Sequence, residues 1–306
     1  MNNPLKLLQC SRDGGDLILE QGFLLCKKCS HKYPYQNNIL FALEELDEDA
    51  SLSKDKWEEL YQTKATIQKI RKENQKYLET YFQDVYFQVN SERSLSGAVY
   101  LEIGCGPAFF AQEVSHECAL VIGVDFSKEA LQIASQQFIE KGIKNYLLIH
   151  ADIGNMPIKS DTIDVLYGGG VIEHFKDTLG RLRELQRVLV PGGVSFNTVP
   201  CCNLGSLTYR QIWGNIPNLP LIRQIAELVH IKLLGGRHMI FGYELSFRPN
   251  TLRQLHREAG FSKVKVRQFK VQLEFAFIPK IFRSQMIWLA DNSPLFWPMV
   301  KVIARK

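Results

Sequence analysis

From Val99 onward the chain alternates short apolar runs with amphipathic stretches of helical period, and no other feature restricts its fold as much. Val99 to Ile103, Leu120 to Val124, Tyr146 to His150, Ile163 to Tyr167 and Val194 to Val199 read as strands, with two more near Val264 to Phe269 and Val300 to Ala304. Helices are predicted from about Pro107 to Cys118, from the N-cap Ser127 to Gly142, and from Thr178 to Val190, which Pro191, Gly192 and Gly193 stop. Asn250 is expected to cap a further helix carrying Leu252, Leu255 and Ala259. Strands that alternate with helices must cross over to pair in parallel, so the expected fold is α/β, a doubly wound, seven-stranded, mostly parallel sheet.

Composition divides the chain into three parts. Residues 1–43 hold short apolar runs around Cys26 and Cys29; residues 44–95 are charged and helical in pattern, reading as two or three helices; residues 96–306 carry the sheet. Within the last part, 201–247 is an insertion of about 45 residues, far longer than the ~2–6 residues of an ordinary connection. Lys and Arg number 37 against 32 Asp and Glu, a balance too mild to signal a nucleic-acid binder. Seven cysteines, an odd count without a visible signal peptide, fit a reducing cytoplasm. Charges at Arg223, Glu227, Lys232, Lys280, Arg283 and Asp291 interrupt the most apolar stretches, so neither reads as a membrane span.

In an open parallel sheet, ligands bind at the carboxyl ends of the strands. Those ends carry Glu102, Gly104, Gly106, Asp125 with Phe126, Asp152 with Ile153, and Gly168 to Gly170. The glycines let a ligand approach the backbone, and Asp125, 21 residues past Gly104, suits ribose hydroxyls. Phe109 occupies the place where a dinucleotide fingerprint needs a small residue, and no Gly-Lys-Ser/Thr is present for a phosphate loop. An acid beside the glycine turn repels pyrophosphate but suits an ammonium group, which favours S-adenosylmethionine over NAD.

At these residues the chain resembles the class I S-adenosylmethionine-dependent methyltransferases, in their small-molecule branch. The motifs that carry the resemblance are Leu101-Glu102-Ile103-Gly104-Cys105-Gly106, Asp125, Asp152 with Met156-Pro157, Val171-Ile172-Glu173-His174-Phe175, and Arg187 to Gly193, all in the expected order. The resemblance extends over about residues 57–306 and implies that Glu102 and the glycines, Gly168 among them, face the methionine end of the cofactor. Asp125 and Phe126 then face the ribose, and Asp152 with the Ile153 amide the adenine. Where a glycine is common, two places after Gly106, this chain has Ala108. Tyr61 could fold over the cofactor from the preceding helices, or be an interhelical core residue.

Methyl transfer is an in-line displacement, so catalysis is mostly positioning, with a base needed where the nucleophile holds a proton. His174 and Glu173, just past the fourth strand, are the catalytic candidates by position; the alternative is that they only fix their loop. Tyr167-Gly168-Gly169-Gly170 stands where methylases of exocyclic amines carry an Asn/Asp-Pro-Pro-Tyr. Cys201, in Pro200-Cys201-Cys202, follows the wrong strand for an attacking thiolate and is expected in the wall of the site.

Cys26-x-x-Cys29, with Tyr33, Pro34 and Tyr35, resembles one knuckle of the zinc ribbon found in a methyltransferase activator subunit. Upstream stands Cys10-Ser11-Arg12-Asp13, so Asp13 replaces the fourth thiolate, with His31 as a competitor. The segment is either a zinc site of Cys10, Cys26, Cys29 and a fourth ligand, or a metal-free relic.

The insertion holds Trp213, His238, and an apolar stripe of Leu221, Ile222, Ile225, Leu228, Val229 and Leu233, a pattern that ordinarily marks core. With the aromatic-rich segment from Phe275 to Trp297, it predicts a lid over a small hydrophobic acceptor, or a peripheral contact with a membrane surface. The leading reading is methyl transfer to oxygen, nitrogen or carbon of a biosynthetic metabolite. The alternatives are a non-catalytic binding module and an RNA or protein methyltransferase.

Overall fold

The computed structural model describes residues 4–44, 46, 51, 53–54, 57–58, 64–205, 215–236, 239, 242–270 and 279–306. Tyr61, Trp213, His238 and Phe275 lie outside them. The parallel core is β5 (Val99–Ile103), β6 (Leu120–Asp125), β7 (Tyr146–His150), β8 (Ile163–Gly169) and β9 (Leu189–Pro200). These stand in the order β7-β6-β5-β8-β9. On the far side β13 (Met299–Arg305) pairs antiparallel with β9 and with the edge strand β12 (Val264–Phe269). The seven expected strands are therefore all present. β6 and β7 follow on one side of β5 and β8 and β9 on the other, so the chain switches direction between β5 and β8, where such sheets open a crevice.

The sheet does not stop at β7. Four N-terminal strands, β1 (Leu17–Glu20), β2 (Phe23–Cys26), β3 (Lys32–Gln36) and β4 (Ile39–Phe41), extend it to eleven. β4 runs parallel to β7 with Ile39 opposite Leu148 and Phe41 opposite His150, and the Ala42 N–H continues the ladder by donating to the His150 carbonyl. Ile39 and Leu40 are buried there, so the ribbon shares the core.

The helices follow from their apolar spacing. α3 (Lys128–Glu140) starts at Ser127, whose hydroxyl accepts the Ala130 N–H, and buries Ala130, Leu131, Ala134 and Phe138 on one face. α4 (Thr178–Val188) buries Leu182, Leu185 and Val188 and is capped by Asp177, which accepts the Gly180 N–H. Three expectations are corrected. Pro191 to Gly193 do not separate helix from strand: β9 begins at Leu189, and these residues bulge between the pairs Ile163–Leu189 and Val165–Val194, where proline needs no ladder partner. The helix after Gly106 is only α2 (Phe109–Val114), because Ala108 adopts left-handed geometry and delays it. Asn250 does not cap; α6 (Pro249–Glu258) opens with Pro249 in its first turn after Arg248. Of the charged stretch 44–95, residues 51, 53–54 and 57–58 are helical, and α1 (Lys64–Glu92) is one 29-residue helix.

The insertion contributes a two-stranded parallel pair, β10 (Ile216–Pro217) and β11 (Leu245–Ser246), and α5 (Ile222–Glu227), which continues as a π-helical turn through Leu233. Its stripe is not core. Leu221, Ile225 and Leu233 are 71%, 62% and 70% exposed. α7 (Lys280–Asn292) likewise exposes Ile281 and Trp288 at 72% and 62%. Among the described residues, no helix is long and apolar enough to cross a membrane.

Candidate active site

A cavity of about 320 Å³ opens at the carboxyl end of β5, at the switch between β5 and β8. Its floor is Glu102, Ile103, Gly104, Cys105 and Gly106; Asp125 and Phe126 line it from the end of β6, and Gly169, Gly170 and Val171 from beyond β8. Gly104 is required twice over. Its backbone is left-handed (φ +52°), and a Cβ there would come within 2.6 Å of Val171 Cγ2, which closes the other side. Ala108 shares that left-handed geometry, at φ 57°, with its methyl fully buried. The chain thus keeps the glycine conformation with a residue that strains against it.

Two buried acids dominate the electrostatics. Glu102 Oε2 accepts the Ala111 N–H at 2.6 Å from the first turn of α2, yet burial still pushes the carboxyl up to about 8. Asp125 accepts the Gly106 and Ser127 N–H groups, each at 2.7 Å, and burial raises it to about 6. The Asp125 charge also contributes to the Glu102 shift. Two such carboxyls in one cleft fit a ligand that brings a cation and hydroxyl donors.

Aromatic residues stand beside Glu102, whose register partner on β8 is Tyr167. Phe110 stacks on Tyr167 with ring centroids 4.5 Å apart, and the Tyr167 hydroxyl meets Tyr77 of α1 at 3.5 Å. Trp57, Leu78, Pro107, Phe109, Phe175, Thr198 and Met299 also line it. The helical segment thus covers the cleft through Trp57, Tyr77 and Leu78, whereas the sequence pattern singles out Tyr61 there. Only the recurrence of aromatic residues near the 3.6 period signals them, and that pattern serves a core equally well.

His174 lines the cavity from a 3-10 turn spanning Ile172–His174, with Glu173 buried in the same turn but off the cavity wall. His174 Nδ1 lies 2.6 Å from the Tyr243 carbonyl, so this nitrogen is the donor, which in the neutral form of the ring leaves the lone pair on Nε2. Tyr243 belongs to the insertion, and its hydroxyl donates to Glu227 of α5 at 2.6 Å, while Glu227 also pairs with Arg223 at 2.9 Å. This chain from lid helix to imidazole joins residues 69 or fewer positions apart in sequence and is invisible to motif reading.

Not every expected residue reaches the wall. Gly168 lies one residue short of it, with Asn197 Oδ1 and Ile103 packed where a Cβ would stand. Asp152 and Ile153 also stand outside it. Asp152 accepts the Gly154 N–H at 2.9 Å and pairs with Arg181 at 3.1 Å, and Arg181 lies over the Phe175 ring. Cys201 is fully buried, bridged to Phe247, and does not line the cavity as expected, since its strand has already turned toward the insertion. Cys10, Asp13, Cys26 and Cys29 come together in the ribbon, away from this site, with ligand atoms all within 4.8 Å of one another.

Known proteins agree with this geometry. The profile of a family described as a methyltransferase domain matches residues 101–196, from within β5 to within β9. A demethylmenaquinone methyltransferase of Staphylococcus saprophyticus is 30% identical over 189 residues, covering 57% of this chain and 74% of the relative. The chain belongs to the class I S-adenosylmethionine-dependent methyltransferases. A Geobacillus demethylmenaquinone methyltransferase is 33% identical to this methyltransferase over 184 residues, 56% of the chain and 74% of the relative. Among solved structures, the YcgJ protein of Bacillus subtilis superposes with a TM-score of 0.51 at 17% identity, covering 74% of this chain and 99% of that one. A Haloferax volcanii complex of the Trm112 methyltransferase activator and a putative methyltransferase gives 0.50 at 13% identity, covering 86% and 99%. At such identities the structures establish the fold alone.

Proposed function

We propose that this methyltransferase alkylates a small lipophilic ring acceptor, a hydroxylated quinol-like molecule, at the carbon beside a hydroxyl group. The observation that carries the reading is the mixed lining of the cleft: the acids Glu102 and Asp125 share it with Trp57, Tyr77, Phe109, Phe110, Phe175 and Met299. An apolar ring gains about 25 cal/mol per Å² buried against such a wall, without charged contacts. The names of the curated relatives point to the same acceptor class.

Bound S-adenosylmethionine supplies an electrophilic methyl group on a sulfonium. Glu102, fixed by the Ala111 N–H, receives the ammonium group, and the open turn at Gly104 and Gly106 passes the methionine arm. Asp125 and Phe126, which line the cavity, take the ribose. His174 Nε2 accepts the proton of the acceptor hydroxyl, which raises electron density at the neighbouring ring carbon; once that carbon carries the methyl group it loses its own hydrogen as a proton to solvent, which restores the aromatic ring. The Tyr243 carbonyl holds the ring in the tautomer that leaves Nε2 basic.

The exposed faces of α5 and α7 support entry of the acceptor from a membrane surface. α7 leads into β13, whose first residue Met299 pairs with Pro200, and the insertion that carries α5 begins directly after Pro200, at the same end of the sheet as the cleft. We place the lipid-facing side there.

The deciding experiment incubates the purified protein with methyl-labelled S-adenosylmethionine and a reduced naphthoquinone bearing a short isoprenoid tail. Label in the extracted ring product, lost on His174→Ala with cofactor binding retained, is the expected result. Absence of a thermal shift with S-adenosylmethionine or S-adenosylhomocysteine removes the assignment of the cleft, whereas binding without transfer removes only the acceptor.

A further inference from the structure

We infer that the N-terminal ribbon holds one tetrahedral zinc ion through Cys10, Cys26, Cys29 and Asp13, with Asp13 and not His31 as the fourth ligand. The four side chains come from two turns, the Cys10–Asp13 turn before β1 and the Cys26–Cys29 turn after β2, and present three sulfurs and one carboxylate oxygen within 4.8 Å of one another. Zinc binds sulfur at about 2.3 Å and carboxylate oxygen at about 2.0 Å. A regular tetrahedron then has edges of about 3.8 Å between two sulfurs and about 3.5 Å between sulfur and oxygen. The chain places Cys10 Sγ and Cys29 Sγ 3.7 Å apart, and Cys26 Sγ and Asp13 Oδ1 3.4 Å apart. These are the edges of a metal polyhedron, and the sulfur pair is far from the ~2.05 Å of a disulfide.

The surroundings are built to hold the ligands as anions. The Lys28 and Cys29 N–H groups both point at Cys26 Sγ, at 3.3 and 3.4 Å, and the Gly15 N–H donates to Asp13 Oδ1 at 2.9 Å. The Tyr33 hydroxyl lies 3.1 Å from Cys10 Sγ and is itself positioned 2.9 Å from Ser11 Oγ. Such outer partners orient ligands and deepen metal affinity. Gly15 leaves the space that this convergence needs: a Cβ there would come within 2.7 Å of Cys26 Sγ and 3.0 Å of Asp13 Oδ1. His31 is directed elsewhere, with its ring edge-on to Tyr33 and Nε2 3.7 Å from Glu44.

One carboxylate among three thiolates makes the site asymmetric. Asp13 supplies the harder and more readily exchanged donor, so the ion leaves toward that side first. The full-length chain, purified under reducing conditions, should carry about one zinc per molecule by elemental analysis. Replacing zinc with cobalt should give the visible absorption of a tetrahedral ion with thiolate charge-transfer bands. Asp13→Ala should weaken affinity by more than about tenfold in a chelator competition, the loss that even an outer partner causes. Asp13→Cys should tighten it and shift the cobalt bands toward those of four thiolates, and His31→Ala should change neither. Cys26→Ser is expected to lose the ion; should that variant fail to fold, the cobalt spectra of the Asp13 and His31 variants still decide the ligand set. Metal-free protein that takes up no cobalt, or His31→Ala abolishing the cobalt spectrum while Asp13→Ala leaves it intact, would overturn the assignment.

Discussion

Replacing Glu102 by Gln isolates the cost of keeping an acid in the floor of the cleft. Burial holds this carboxyl at about 8, against 4.5 for an ordinary glutamate. A folded-state value above the unfolded one means that the proton favours the fold. That stability is complete below about pH 4.5 and is lost as pH rises through about 8. Each unit between removes about 1.4 kcal/mol, so by pH 7 the wild-type protein has lost about 3 kcal/mol. Glutamine cannot ionise, and its carbonyl can still accept the Ala111 N–H. Its amide N–H₂ needs a new partner, at a penalty of about 1–3 kcal/mol if it finds none. Glu102→Gln should therefore be less stable than wild type at pH 5 and should gain on it by about 1 kcal/mol per unit through pH 8. For a chain of this size that is roughly 2–4 °C of relative Tm per kcal/mol. Thermal unfolding of the ligand-free protein at four pH values between 5 and 8 measures it. A difference that stays flat, or that moves in favour of wild type as pH rises, refutes the reasoning. The same variant should bind S-adenosylmethionine more weakly, which sets stability and affinity in opposition at one atom.

Asp125→Ala should weaken S-adenosylmethionine binding by about 1–3 kcal/mol in calorimetry, the cost of losing hydrogen bonds to a charged acceptor. In the wild type, affinity should fall as pH drops through about 6, where Asp125 takes up its proton, and an affinity unchanged down to pH 5 would show that the carboxylate form is not required. Ala108→Gly relieves the left-handed alanine and should raise stability by about 1 kcal/mol in denaturant unfolding. Tyr243→Phe removes the hydrogen bond to Glu227 and should lower kcat while leaving cofactor Kd unchanged; a change in Kd alone would detach the lid from His174. Ile225→Glu with Trp288→Glu should abolish sedimentation with phosphatidylglycerol vesicles, and wild-type protein that never sediments would remove the membrane-entry proposal.

The strand ends are legible because each side chain there answers to a local rule. Gly104 sits in a tight strand-to-helix turn with a left-handed backbone and Ser127 caps α3, so both can be read without knowing a single tertiary contact. β7 and β12 are placed to the residue, β7 as an almost wholly apolar run and β12 by the alternation of Val264 and Val266 with Lys265 and Arg267. The misses share a different cause. Pro191 to Gly193 look like a terminator in sequence, yet a neighbouring strand can absorb them as a bulge. The α5 stripe has core periodicity, but periodicity does not say whether a partner exists to bury it. Tyr77, Trp57 and the Tyr243–Glu227–Arg223 connection depend on tertiary proximity, which no local rule encodes. Sequence leaves the fourth ligand of the proposed zinc site between Asp13 and His31; the turn geometry sets one toward the thiols and the other toward Glu44.

The pairing of β4 with β7 also sets a schedule for synthesis. Phe41 ends β4 and Tyr146 begins β7, so 105 residues must follow before the partner strand exists. At a ribosomal rate of about 5–20 residues per second, this leaves β4 with one open edge for roughly 5–20 s. During that interval Ile39, Leu40 and Phe41 offer unpaired backbone and apolar side chains to any other nascent strand. A cell that makes this protein quickly needs something to occupy that edge, and a chain cut before Tyr146 should be captured by chaperones or lost to aggregates.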